Sequence, residues 1–176
     1  MIKVLGIKII DRIKEAGLTQ EILSKYAGVI TTRLGFHEVS DEVCSREAYI
    51  IFHLKYDHAE AAGLHKELES IGGILIREMI FSDRSPQPDE LKEEGDGMME
   101  ILGLLIERNH DVIVAVQRTL TSYGCNIRTR LGVNEIFFGE PAGLIILELT
   151  GDQKQRDLLE KDLAAIDKVH VRKMIF

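Results

Sequence analysis

The chain has 176 residues, of which 45% are hydrophobic and 6% aromatic, with no tryptophan and a net charge of −7. That is enough apolar material for one large core or two small ones, filled by aliphatic side chains. The acidic balance excludes broad contact with nucleic acid, which needs a surplus of Lys and Arg to displace counterions.

Residues 2–10 are almost all apolar and read as a buried strand. Residues 12–27 carry Ile13, Leu18, Ile22 and Leu23 among polar residues, a helical pattern blurred in its first turns by Gly17 and Thr19. A second strand is expected over 29–39, alternating through Ile30, Thr32, Leu34 and Phe36, and a third over 48–56. Asp57 is placed to cap a helix with Leu64, Leu68 and Ile71 on one face, which Gly72 and Gly73 end. Residues 74–81 form the last strand of the unit.

The pattern then repeats. At an offset of 97, Val4-Leu5-Gly6-Ile7 returns as Ile101-Leu102-Gly103-Leu104. Gln20, Leu23 and Tyr26 return as Gln117, Leu120 and Tyr123, and Thr32-Arg33-Leu34-Gly35 as Thr129-Arg130-Leu131-Gly132. The offset falls to 95 from Ile50–Ile51 onward, and Arg77-Glu78-Met79-Ile80-Phe81 closes as Arg172-Lys173-Met174-Ile175-Phe176. The second copy has therefore lost two residues near 40–48, where a hairpin loop is expected. In that copy Asp111 is the expected cap of the first helix. Ser82–Gly97 joins the copies. It holds two of the three prolines, six acidic residues and two basic ones, which is linker chemistry. The reading is one domain over 1–81, an acidic linker over 82–97 and a second domain over 98–176.

Strand, helix, strand, strand, helix, strand is the ferredoxin-like order. The fold class is α+β: two tandem βαββαβ domains, each an antiparallel sheet with its helices on one face. Period-two alternation sorts Leu5, Ile7, Ile9, Ile30, Leu34, Ile50, Phe52, Leu54, Ile74 and Ile76 beneath the helices. It sorts Gly6, Lys8, Arg33, Gly35, His37, Tyr49, Ile51, His53, Arg77, Met79 and Phe81 onto the open face. In copy two the open-face set is Gly103, Arg130, Gly132, Asn134, Leu144, Ile146, Arg172, Met174 and Phe176. An apolar open face with a glycine in its first strand suggests contact. The candidate interface is Gly6, Tyr49, Ile51, Met79, Phe81, Gly103, Ile146, Met174 and Phe176, packing copy on copy or on another chain as a homo-oligomer. Arg33 and Arg130 suit an anion, or an ion pair with a nearby acid.

No nucleophile elbow, zinc-protease helix, phosphate loop or dinucleotide fingerprint occurs, so the reading is not an enzyme and names no cofactor. His37, Cys44 and His53 are a candidate transition-metal site in copy one, without counterparts in copy two. Cys44 and Cys125 stand at non-equivalent positions and read as free thiols. No stretch approaches 18 apolar residues and no apolar leader with a cleavage site opens the chain, so a cytoplasmic location without membrane contact is expected.

Thr32-Arg33-Leu34-Gly35-Phe36-His37-Glu38, the strand Tyr49–Leu54 and the close Gly72–Arg77 resemble the iron-only hydrogenase system regulators, small ACT-like proteins of ferredoxin fold. Copy two carries the same pattern in Arg130–Glu135 and Leu144–Leu149, so the chain looks like a fused pair. The resemblance implies a regulatory module that binds a small ligand or a protein partner at a junction between units. The turns at 11–14 and 108–111 would lie there, with Asp11, Arg12, Arg33, Arg108, Asn109 and Arg130 as ligand-binding candidates.

Overall fold

In a computed structural model, residues 1–36, 45–55, 58–82, 99–107 and 109–176 are described. They divide into two compact units, one of Ile2–Ile80 and one of Phe81–Phe176 with Met1. The expected cap Asp57 lies outside the described residues, as does nearly all of the acidic linker.

In the first unit the elements are β1 (Ile2–Ile9), α1 (Arg12–Lys25), β2 (Ile30–Phe36), β3 (Ala48–Leu54), α2 (His58–Glu69) and β4 (Ile74–Phe81). The second unit has β5 (Glu100–Glu107), α3 (His110–Ser122), a short 3₁₀ turn (Gly124–Asn126), β6 (Ile127–Phe137), β7 (Glu140–Leu149), α4 (Gln153–Ala164) and β8 (Val169–Ile175). Both are βαββαβ units. The strand orders are β2-β3-β1-β4 and β6-β7-β5-β8, so the first and last strands of each repeat lie side by side and the second strand is an edge.

Each core sits between one sheet face and its two helices. In the first unit Leu5, Ile7, Ile50, Phe52 and Leu54 of the sheet meet Ile22 and Leu23 of α1 and Leu64 and Leu68 of α2. In the second, Leu102, Leu104, Ile145, Leu147 and Leu149 meet Val116, Leu120, Leu159 and Leu163. Burying these side chains supplies the main drive to fold. Ile13, expected on the buried stripe of α1, is 77% exposed. Nine residues separate it from Ile22, which at 3.6 residues per turn puts it on the opposite side of the helix.

The helix starts are capped by polar side chains. Asp11 accepts from the Ile13 backbone N–H at 3.2 Å, and Asp152 from that of Gln155 at 3.3 Å. For α3 the cap is Asn109, which accepts from the N–H of Asp111 and Val112. The expected cap Asp111 lies instead inside the first turn, where its charge still suits the helix dipole.

One ion pair is written with opposite polarity in the two repeats. Lys3 of β1 meets Glu78 of β4 at 2.5 Å. At the equivalent positions Glu100 of β5 meets Lys173 of β8 at 3.1 Å. Each β4/β8 member also reaches its second helix, Glu78 to His65 at 3.8 Å and Lys173 to Glu160 at 2.5 Å. Glu100 and Lys173 are diagonal neighbours on adjacent strands, where two like charges would repel, so a change of sign on one strand requires a change on the other. Lys3→Glu alone is expected to lower stability by about 1 kcal/mol, and Lys3→Glu with Glu78→Lys to recover at least half of it. Urea unfolding of the two variants and the parent chain checks this.

Candidate functional site

The edge strands β2 and β6 do not keep the simple alternation their sequence suggests. Ile30 pairs with Leu54, but Thr32 rather than Thr31 pairs with His53. Likewise Ile127 pairs with Leu149 and Thr129 with Glu148. One extra residue, Thr31 or Arg128, is bulged in each strand. The bulged residue bonds across to the residue it displaces: Thr31 Oγ1 lies 2.5 Å from His53 Nδ1, and Arg128 Nη1 donates to Glu148 Oε1 at 3.2 Å.

A single inserted residue exchanges the two faces for everything that follows. Arg33 therefore lies opposite Phe52 and Gly35 opposite Ile50, on the helix side. Leu34 lies opposite Ile51, on the helix-free side. Arg130, Gly132 and Asn134 of β6 likewise move to the helix side, opposite Leu147, Ile145 and Gly143. This corrects the simple alternation, which put both arginines on the helix-free face. Gly6, Tyr49 and Ile51 stay on that face, as do Gly103, Ile146 and Met174 of the second unit.

Each arginine then meets the first helix of its unit. Arg33 Nη1 donates to Gln20 Oε1 of α1 at 2.9 Å, and Arg130 Nη1 donates to Gln117 Oε1 of α3 at 3.1 Å. These are the same contact twice, at the same offset of 97. A neutral amide holds one nitrogen of the fork and supplies no counter-charge. Among the described residues neither arginine makes an ion pair, although both are exposed. Gln20 and Gln117 already stood out as matching residues of the repeat; their pairing needed the bulge to be known.

In the second unit this pair opens onto a groove of about 780 Å³ between α3 and the β6–β7 ribbon. Ile113, Val116 and Gln117 of α3 form one wall, and Ile106, Ile145, Ile136 and Pro141 continue the apolar lining. Gly132 and Gly143 lie in its floor, and a Cβ added at either would meet nothing within 4 Å. The size falls in the range of small-molecule sites. β6 and β7 run on to a tight hairpin with positive φ at Phe138 (51°) and Gly139 (85°). Such a primed turn matches the twist of its strands.

The other candidates have local duties. Asp11 caps α1 and binds Arg46 at 2.6 Å. Desolvation would raise its carboxyl, but the Arg46 hydrogen bond and charge and the Ile13 and Lys14 N–H groups outweigh it and hold the carboxyl below its ordinary value. Arg12 donates from Nε to the Ser45 carbonyl at 2.8 Å. Asn109 caps α3, and Arg108 lies outside the described residues. The turn candidates thus tie down helix starts, while Arg33 and Arg130 stand further along the strands. Of the metal candidates, His37 and Cys44 lie outside the described residues and His53 is engaged by Thr31. Among the described residues no group of three His, Cys, Asp or Glu is placed to hold a metal ion.

No family model matches the chain, and no curated protein does. Solved structures are similar to it. An uncharacterized protein from Thermotoga maritima matches at 23% identity over 44% of this chain and 95% of its own, with a TM-score of 0.39. The acetolactate synthase small subunit from Thermotoga maritima matches at 10% identity over 99% of this chain and 94% of its own, TM-score 0.35. The regulatory subunit of aspartate kinase from Thermus thermophilus matches at 16% over 94% and 93%, TM-score 0.36. Likeness at this level carries nothing about function, which has to be argued from the site. No helix among the described residues is long and apolar enough to cross a membrane.

The capping assignment is open to a direct check. Asn109→Ala is expected to cost about 1 kcal/mol, because two N–H groups lose their acceptor, whereas Asp111→Ala is expected to cost less than half of that. Urea unfolding of both variants decides between the two residues as the cap.

Proposed function

We propose that this chain is a non-enzymatic regulatory module of two ACT-like domains, 1–81 and 98–176 around the acidic linker 82–97, and that its second domain binds a small anionic molecule in the groove beside α3. One observation carries the reading. Arg130 presents a guanidinium to an apolar groove, held by the neutral Gln117 and unpaired with any described acid. A structural arginine ordinarily has its carboxylate; one held by an amide keeps donors for an incoming anion.

Arg33 with Gln20 is the same device in the first domain. The apolar helix-free faces, including Gly6, Tyr49, Ile51, Met79 and Phe81 with Gly103, Ile146, Met174 and Phe176, are proposed to be interfaces, between the domains or between copies of the chain. A ligand would then act by stabilising one arrangement of these interfaces, since a ligand shifts an equilibrium only by its differential affinity.

Thermal unfolding with millimolar sodium octanoate or sodium phosphate tests the anion site. At least one of the two is expected to raise the Tm of the parent chain by a few degrees. Arg130→Gln is expected to lose the shift. A chain that responds to neither anion, or an Arg130→Gln variant that responds as the parent does, contradicts the proposal.

A further inference from the structure

The groove has a length and a polarity, and these narrow the ligand beyond its charge. Arg130, Gly132, Asn134 and Ile136 follow one another along the helix side of β6 at two-residue steps. From Arg130 to Ile136 is six residues, about 20 Å at the rise of a strand. The cation stands at one end, beside Gln117. The other end carries Ile136, 62% exposed, Ile113, 40% exposed, and Pro141 opposite Ile136, with Asn134 and Glu135 also lining the groove. Isolated exposed apolar residues need no explanation, but two that face each other across one groove do.

The floor between the ends is shaped by glycine. Gly132 and Gly143 both belong to the helix side, two pairs apart in the β6–β7 ladder. Neither has positive φ, and at both a Cβ would reach open space. Backbone conformation and internal packing therefore do not require glycine there, and a strand is less stable for having it. What the two glycines do is leave a trough between the strands and α3.

We infer that the groove takes an elongated amphiphile, a single carboxylate on an unbranched acyl chain, with the carboxylate on Arg130 and the chain lying over Gly132 and Gly143 toward Ile136. This rests on the anion site proposed above and specifies its ligand. Arg130 supplies two-pronged recognition of a carboxylate. The trough excludes water from a flexible chain that a compact anion would leave bare. In the first domain Arg33 and Gln20 repeat the Arg130–Gln117 hydrogen bond.

The test is isothermal titration of the intact chain with sodium acetate, hexanoate, octanoate and decanoate, each below its micelle concentration, and with sodium phosphate. Affinity is expected to rise by about two- to fourfold per added methylene until the groove is filled. Gly143→Val and Gly132→Val should each reduce decanoate affinity by about tenfold or more, while circular dichroism stays at the parent value and Tm in buffer does not fall. Binding of phosphate and acetate as strong as that of decanoate overturns the acyl-chain inference and leaves the anion site standing. Decanoate binding that is unchanged in both glycine variants also overturns it. No binding of any anion overturns the inference and the anion site together.

Discussion

The site depends on one extra residue in each of the edge strands β2 and β6. Thr31 and Arg128 are each inserted opposite a single partner, and every side chain beyond them changes face. Without the insertion Arg33 and Arg130 would lie among the apolar residues of the helix-free face. With it they reach Gln20 and Gln117 on the helices, and Gly132 and Gly143 come to line a trough rather than a flat surface. The bulge is held by a side chain in both repeats, but by different chemistry: a hydroxyl on an imidazole in one, a guanidinium on a carboxylate in the other. Two unrelated pairs that hold the same irregularity argue that the irregularity itself is what the fold retains.

Most of the architecture was legible in the sequence. Two copies of one pattern gave the repeat, and the order of apolar runs gave the ferredoxin-like topology seen in each unit. Central strands were easy because β1, β3, β5 and β7 are apolar over most of their length. The faces of β2 and β6 beyond the bulge were not legible. Period-two counting assumes unbroken pairing, and Thr31 carries no mark that separates a bulged threonine from a paired one. Ile13 illustrates the same limit in a helix, since an apolar residue at the wrong angle looks like part of the stripe until the phase is fixed by Ile22 and Leu23.

Other features were in the sequence and went unread. Lys3 and Glu78 against Glu100 and Lys173 is a sign exchange visible as soon as the repeats are aligned. It says that the first and last strands of each repeat are neighbours, which is the feature that defines the topology. Gln20 and Gln117 matched as well, but a match shows that a residue matters without showing what it touches. The cap of α3 was missed for a similar reason: Asn109 lost to Asp111 because two capping residues stand two apart and only the helix start decides between them.

The arrangement sets one arginine against the first helix of each unit. Both stand on the edge strands β2 and β6, and in the second unit the groove beside Arg130 is open along one side. Its most direct test is the position of the Arg130 side chain in solution. In a nuclear Overhauser spectrum with labelled arginine and glutamine side chains, the account requires cross-peaks between Arg130 and the side-chain amide of Gln117. Cross-peaks from Arg130 to Ile146 and Met174 instead would put it on the helix-free face, remove the bulge and contradict the account.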